Sequence, residues 1–214
     1  VNVIVSTARQ DFRASTISSL GYGAMFGVVT AMVLYNLFLF VSLRDPNYLL
    51  YVVSISSTAL FLATLSGYAP LWLWPSFRAW SEEIFQHVVA VMLVSGLWFC
   101  TRFLEATSYA PRLHQIILVL IGLSILTVPL SYVVGFQTSV ALTGAVSAAA
   151  GTVGLVTATV CLLRGQRSAR YYLPAWAIYC IGTVFTAARQ HGLVGNFFFS
   201  IHGMELGSVL ETVL

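Results

Sequence analysis

The sequence predicts an all-α integral membrane protein, a seven-transmembrane helix bundle with the amino terminus outside and the carboxyl terminus inside. Three observations predict it. The 214 residues are 58% hydrophobic and 8% charged, with a mean hydropathy of +0.88, whereas soluble chains are about half apolar and a quarter charged. Apolar stretches of about twenty residues, the length that crosses a hydrocarbon core about 30 Å thick, recur from Leu20 to the last residue. The ten basic residues are all arginine and lie mainly between these stretches, a distribution that speaks of membrane topology and not of nucleic acid.

The elements follow in chain order. The start, Val1-Asn2-Val3-Ile4-Val5-Ser6, alternates like a strand and lacks the basic opening and cleavage site of a signal peptide. Residues 1–18 therefore read as the tail of a preceding extracytoplasmic domain or a linker, and 19–214 as the membrane domain. The first span runs from about Leu20 to Leu43 and stops at Arg44-Asp45-Pro46, where a charge pair meets a helix-stopping proline. The second, Tyr48 to Tyr68, leads into Pro70, Trp72, Trp74, Pro75 and Trp80, aromatic residues suited to the headgroup level. A third span covers Glu83 to Phe103, and a fourth His114 to Val134 after a short basic connection. The fifth, Val140 to Leu163, is rich in Ala, Gly and Thr and is followed at once by Arg164, Gln166, Arg167 and Arg170. The sixth spans Tyr171 to Ala188, and the seventh starts near Phe197 and is still running at Leu214, so the natural chain is expected to continue.

Alternate loops put Arg44, Arg102, Arg112, Arg164, Arg167 and Arg170 on one side and Arg9, Arg13, Arg78 and Arg189 on the other. Basic loops stay in the cytoplasm, so Arg44, Asp45, Arg164, Arg167 and Arg170 are assigned to cytoplasmic loops.

Several chemistries are excluded or left without a motif. With no lysine there is no retinal Schiff base and no Walker-type phosphate loop. Gly21-Tyr22-Gly23 opens a helix, whereas a potassium filter needs a re-entrant loop. No Ser-His-Asp order, zinc helix or nucleophile elbow occurs, and Cys100, Cys161 and Cys180 have no paired spacing, so they read as small buried hydrophobes. His202 and Glu205 share a helix face, as do Glu83 and His87; each pair reads as a metal ligand set or proton relay on one side and a local hydrogen-bonded couple on the other, and no metal or other cofactor is expected. A carboxyl such as Glu205 deep in a span must be paired or protonated. Asn36 must find a partner on another helix, because lipid offers none. Gly203 with Gly207, and Gly23 with Gly27, have the four-residue spacing that lets helices approach closely. Pro129 and Pro174 kink or end their helices.

The stretch Tyr35-Asn36-Leu37-Phe38-Leu39-Phe40-Val41-Ser42-Leu43-Arg44-Asp45 with Tyr48, Leu49 and Tyr51 resembles the first-to-second helix signature of bacterial seven-transmembrane receptors with diverse intracellular signalling modules. Leu73-Trp74-Pro75, Arg102-Phe103-Leu104 with Pro111, and Arg167, Ala169, Arg170, Tyr171 and Tyr172 with Ala175-Trp176 fit the same pattern. So do Gly192, Asn196 and the Gly203 to Glu211 run, and the likeness extends from about Gly21 to the end. It implies a domain of the bacterial inner membrane that couples an extracytoplasmic domain, often a carbohydrate-binding sandwich, to a cytoplasmic output module such as a diguanylate cyclase or histidine kinase. The isolated chain would then catalyse nothing.

The expected ligand pocket is the outer set Trp72, Trp74, Trp80, His87 and Arg189, for an unidentified small molecule or carbohydrate. Asn36, His202 and Glu205 form the expected intramembrane polar core. Lipid, the attached signalling module and a second copy in a homodimer are the expected partners, with no nucleic acid. The rival reading is a small-solute transporter with a midplane site around Asn36 and Glu205; a transporter chain would end in a short tail, and no inverted repeat links its halves.

Overall fold

In lipid every backbone polar group must be satisfied within the chain, and these apolar stretches do so as helices. The computed structural model describes residues 8–76, 81–190, 192, 195, 203 and 207–208, and among them there is no strand. The strand-like start at Val1 to Ser6 and most of the seventh stretch lie outside the described residues.

The first helix, α1 (Ala8–Leu43), has 36 residues and is about 54 Å long; its spanning part is Leu20–Leu43. It reverses into α2 (Pro46–Leu65) through two residues. Arg44 takes a left-handed conformation, φ 53°, and its N–H donates to the Phe40 carbonyl at 2.7 Å, which ends α1. Asp45 is extended and its carboxylate accepts the Asn47 N–H at 2.9 Å, an N-cap followed by proline in the first helical turn.

After Gly67, whose φ of 82° suits a residue without Cβ, comes the short α3 (Tyr68–Trp72). Helix α4 (Ser81–Phe103) has Glu82 and Glu83 in its first turn and Arg102 in its last, matching the helix dipole at both ends. A single turn, α5 (Ala106–Tyr109), leads into α6 (Pro111–Val134), which continues through Pro129. Helix α7 (Phe136–Leu163) and α8 (Ala169–Gln190), which continues through Pro174, complete the described helices. The short helices α3 and α5 have no counterpart in the sequence reading.

Among the described residues five helices are long and apolar enough to cross a membrane: the spanning part of α1, and α2, α4, α6 and α7. Helix α8 has 22 residues, about 33 Å, but is less apolar, with Arg170, Arg189 and Gln190 near its ends and Pro174 within it. Gly203, Gly207 and Ser208 are helical and buried.

Helix α4 is central, packing on α2, α6 and α7; α7 in turn carries α8, and α1 leans on α2. The core joins Val89, Leu93, Leu97 and Leu104 to Ile117 and Ile121 of α6, Ala158 of α7 and Tyr172 of α8, with Cys100 and Cys161 buried within it. Lipid offers no hydrophobic drive between helices, so small residues and polar bonds hold them. Ser57 and Ser95 join α2 to α4 through their hydroxyls at 2.7 Å. The Thr143 hydroxyl donates to Gln86 Oε1 at 2.9 Å, joining α7 to α4, and the Trp176 indole donates to the Gly151 carbonyl at 3.2 Å, joining α8 to α7. A Cβ on Gly207 would lie 2.5 Å from the Tyr179 Cα, so that glycine allows backbone contact with α8, as its spacing suggested. Gly23 and Gly27 differ, being exposed with nothing within 4 Å of an added Cβ, because α1 turns Met25, Val29 and Asn36 inward instead.

The turns at Arg44, between α4 and α6, and between α7 and α8 share one end of the bundle. Arg164 donates to the Tyr109 carbonyl. Gln166 donates to the Phe103 carbonyl at 3.3 Å, while its Oε1 accepts the Ala169 N–H at 2.9 Å. That end gathers Arg44, Arg102, Arg112, Arg164, Arg167 and Arg170, all exposed, with the carboxylates Asp45 and Glu105.

Candidate functional site

At the basic end a cavity of about 400 Å³ opens between the α1–α2 pair, the end of α4 and the start of α8. Its wall is aromatic: Tyr35 of α1, Tyr48 and Tyr51 of α2, Phe99 and Phe103 of α4, and Tyr171 and Tyr172 of α8. Helical spacing explains the gathering, since residues three or four apart share a face and these rings sit near helix ends that meet here. One row of rings crosses the bundle from Tyr51 to Phe99 (5.3 Å), Phe103 (5.2 Å), Tyr172 (6.0 Å), Trp176 (5.7 Å) and Tyr179 (5.4 Å between centroids). Such offset and tilted pairs are favourable beyond their buried area.

Beside the tyrosine hydroxyls, the polar side chains that line it among the described residues are Asn36, Asp45 and Asn47. Asn36 is buried, 7% exposed, and its Nδ2 donates to the Met32 carbonyl at 2.9 Å. The expected partner on another helix is thus replaced, for the amide N–H, by a carbonyl one turn back in α1. The Met32 carbonyl requires a donor, which fixes the amide orientation and turns Oδ1 away from it.

A second crevice of about 440 Å³ lies between α1, α2 and α3 and is lined mostly by apolar residues such as Phe26, Val33, Leu60 and Leu73. Near the opposite end of α4, Gln86 and Ser139 are each 1% exposed. Gln86 Nε2, Ser139 Oγ and Glu83 Oε2 are buried there without hydrogen-bond partners among the described residues.

Of the outer set expected from the sequence, Trp72 is 80% exposed and Trp74 is half-buried, its indole N–H without a partner among the described residues. His87 is exposed; its Nδ1 lies 2.7 Å from the Glu83 carbonyl and its ring stands edge-on to Tyr132 at 6.2 Å. Glu83 and His87 therefore form a local couple through the Glu83 backbone. Trp80 lies outside the described residues, and so do His202, Glu205 and the Arg189 side chain. Neither cavity is lined by Trp72, Trp74 or His87. Among the described residues no group of three or more metal-ligating side chains occurs. The aromatic cavity was not foreseen, although most of its lining carries the family resemblance; aromatic residues repeated at helix ends were the available signal.

A bundle of long apolar helices, joined by short turns and held by interhelical hydroxyl and amide bonds, defines a multi-pass membrane domain. The chain matches the family model for 7TM diverse intracellular signalling over residues 18–214, and it belongs to that family. No curated protein and no solved structure matches it.

Proposed function

We propose that this chain is the transmembrane sensory domain of a bacterial inner-membrane receptor, coupling an extracytoplasmic ligand-sensing domain to a cytoplasmic output module. The family match over residues 18–214 carries this reading. In it residues 19–214 form seven spans, and residues 1–18 descend from the outer domain. The basic end, with six arginines against the carboxylates of Asp45 and Glu105, lies in the cytoplasm, as the positive-inside rule requires. The outer set Trp72, Trp74, Trp80, His87 and Arg189 faces the ligand-sensing side, and His202 and Glu205 complete the polar core with Asn36. The bundle itself catalyses nothing. It has two arrangements, and a ligand that favours one of them biases the output.

The test uses the full-length protein in membranes. Cyclic-nucleotide synthesis or autophosphorylation by the cytoplasmic part is measured with and without the outer domain. A rate that changes when the outer domain is removed supports the receptor; a chain with only a short inert tail beyond Leu214 refutes it.

A further inference from the structure

We infer that the aromatic cavity at the basic end binds an ammonium group, held between ring faces and the acceptors Asn36 Oδ1 and Asp45 Oδ2. Three observations lead there. The wall presents rings from four helices, α1, α2, α4 and α8, and the negative face of an aromatic ring attracts a cation. Beside the tyrosine hydroxyls and the Asn47 amide, two side chains offer acceptors. Asn36 uses Nδ2 on the Met32 carbonyl, and Asp45 uses Oδ1 on the Asn47 N–H, which leaves the second carboxylate oxygen. Among the described residues Asp45 makes no ion pair. Finally, among the described residues no arginine or histidine lines the cavity, although arginines crowd the surrounding surface. An anion would meet only neutral donors there, the tyrosine hydroxyls and the Asn47 amide, while the arginines offer it charge outside.

Acceptors beside ring faces select a primary over a quaternary ammonium, since only the former carries N–H donors. Two sources supply that chemistry at a membrane surface: the headgroup of an amino-phospholipid, with its phosphate near the exposed Arg44 and Arg170, or a free cytoplasmic amine. Either would sit between α1 and α8, which do not pack along one another among the described residues. Its binding is measurable without any output module, so this inference and the receptor reading fail separately.

The experiment places the full-length protein in phosphatidylglycerol nanodiscs and follows its thermal midpoint with a thiol-reactive dye that reports on buried Cys100 and Cys161. Ethanolamine is titrated in one arm, with ethylene glycol as its neutral counterpart; in the other, phosphatidylethanolamine replaces part of the lipid. Ethanolamine or phosphatidylethanolamine is expected to raise the midpoint, and ethylene glycol is not. A rise with the free amine identifies a soluble ligand, and a rise with the lipid alone identifies the headgroup. Asp45→Asn keeps the helix cap, since asparagine caps as well as aspartate, and is expected to weaken binding at least tenfold. Tyr35→Leu, at a position 57% exposed, serves as the second variant. No rise in either arm, an equal rise with ethylene glycol, or a rise undiminished in both variants overturns the inference.

Discussion

Replacing Gly207 by alanine probes the packing of the bundle most directly. The added Cβ would lie 2.5 Å from the Tyr179 Cα, 2.7 Å from its nitrogen and 3.1 Å from the Ile178 carbonyl carbon. Carbon atoms in contact rest about 3.5–4.0 Å apart, so the helical segment and α8 must separate by about 1 Å. Backbone atoms cannot rotate aside as a side chain can. Nor can α8 retreat freely, because Trp176 on α8 already sits 2.8 Å from where a Cβ on Gly154 would be and donates to Gly151. Overpacking of this kind costs about 1–3 kcal/mol; a value of about 2 kcal/mol lowers the folded-to-unfolded ratio roughly thirtyfold. The assay is unfolding of micelle-bound protein by sodium dodecyl sulfate, followed by tryptophan fluorescence. Gly23→Ala is the control, since nothing lies within 4 Å of its Cβ and helix propensity alone favours alanine by up to about 1 kcal/mol. If the two variants unfold at the same detergent fraction, the close approach of Gly207 to α8 is wrong.

Other outcomes can be checked in the same titration. Trp176→Phe keeps the ring row but loses the bond to Gly151, a cost of about 1 kcal/mol. Thr143→Val strips Gln86 Oε1 of its donor and costs about 1–3 kcal/mol, and adding Gln86→Leu should recover much of that loss; a double variant as weak as the sum of the single changes would contradict the pairing. Arg44→Gly relieves a left-handed conformation that costs a residue with Cβ about 1–2 kcal/mol, so it should stabilise the α1–α2 hairpin. For topology, a cysteine at Ser168 in an otherwise cysteine-free full-length chain should react with a membrane-impermeant maleimide only after the cytoplasmic side is opened. Labelling of intact cells would invert the proposed orientation.

The positions of the first five spans were legible because lipid enforces them: a long apolar stretch between charged turns has few other options. The stop at Arg44-Asp45-Pro46 and the basic turn after Leu163 were read from residue type alone, and the structure places both where expected. Helix ends shifted by a few residues, as at Pro111, where a proline tolerated in a first turn extended α6 beyond the apolar run. The short helices α3 and α5 had no periodicity to reveal them, at five and four residues. The facing of α1 was also hidden, since an apolar helix in lipid is apolar on all sides; nothing in Gly23 and Gly27 says that they face away from the bundle. The cavity escaped for a related reason. Tyr35, Tyr48, Phe103 and Tyr171 each look like interfacial anchors, and only the meeting of four helix ends turns anchors into a wall. Asn36 was recognised as polar inside a span, but its bond to Met32 depends on geometry that composition does not carry.

Gln166 bears on how α8 can move. One end of its amide holds the Phe103 carbonyl at the end of α4, and the other receives the Ala169 N–H at the start of α8; the residue itself is 5% exposed. This clasp fixes the base of α8 against the central helix, and at mid-length the Trp176 indole ties α8 to α7 through the Gly151 carbonyl. Helix α8 is therefore held at its base and again at mid-length. A sideways load on the helix acts against two fixed points, and the ring that lies between them, Tyr172, bears on Phe103 of α4 and on Trp176.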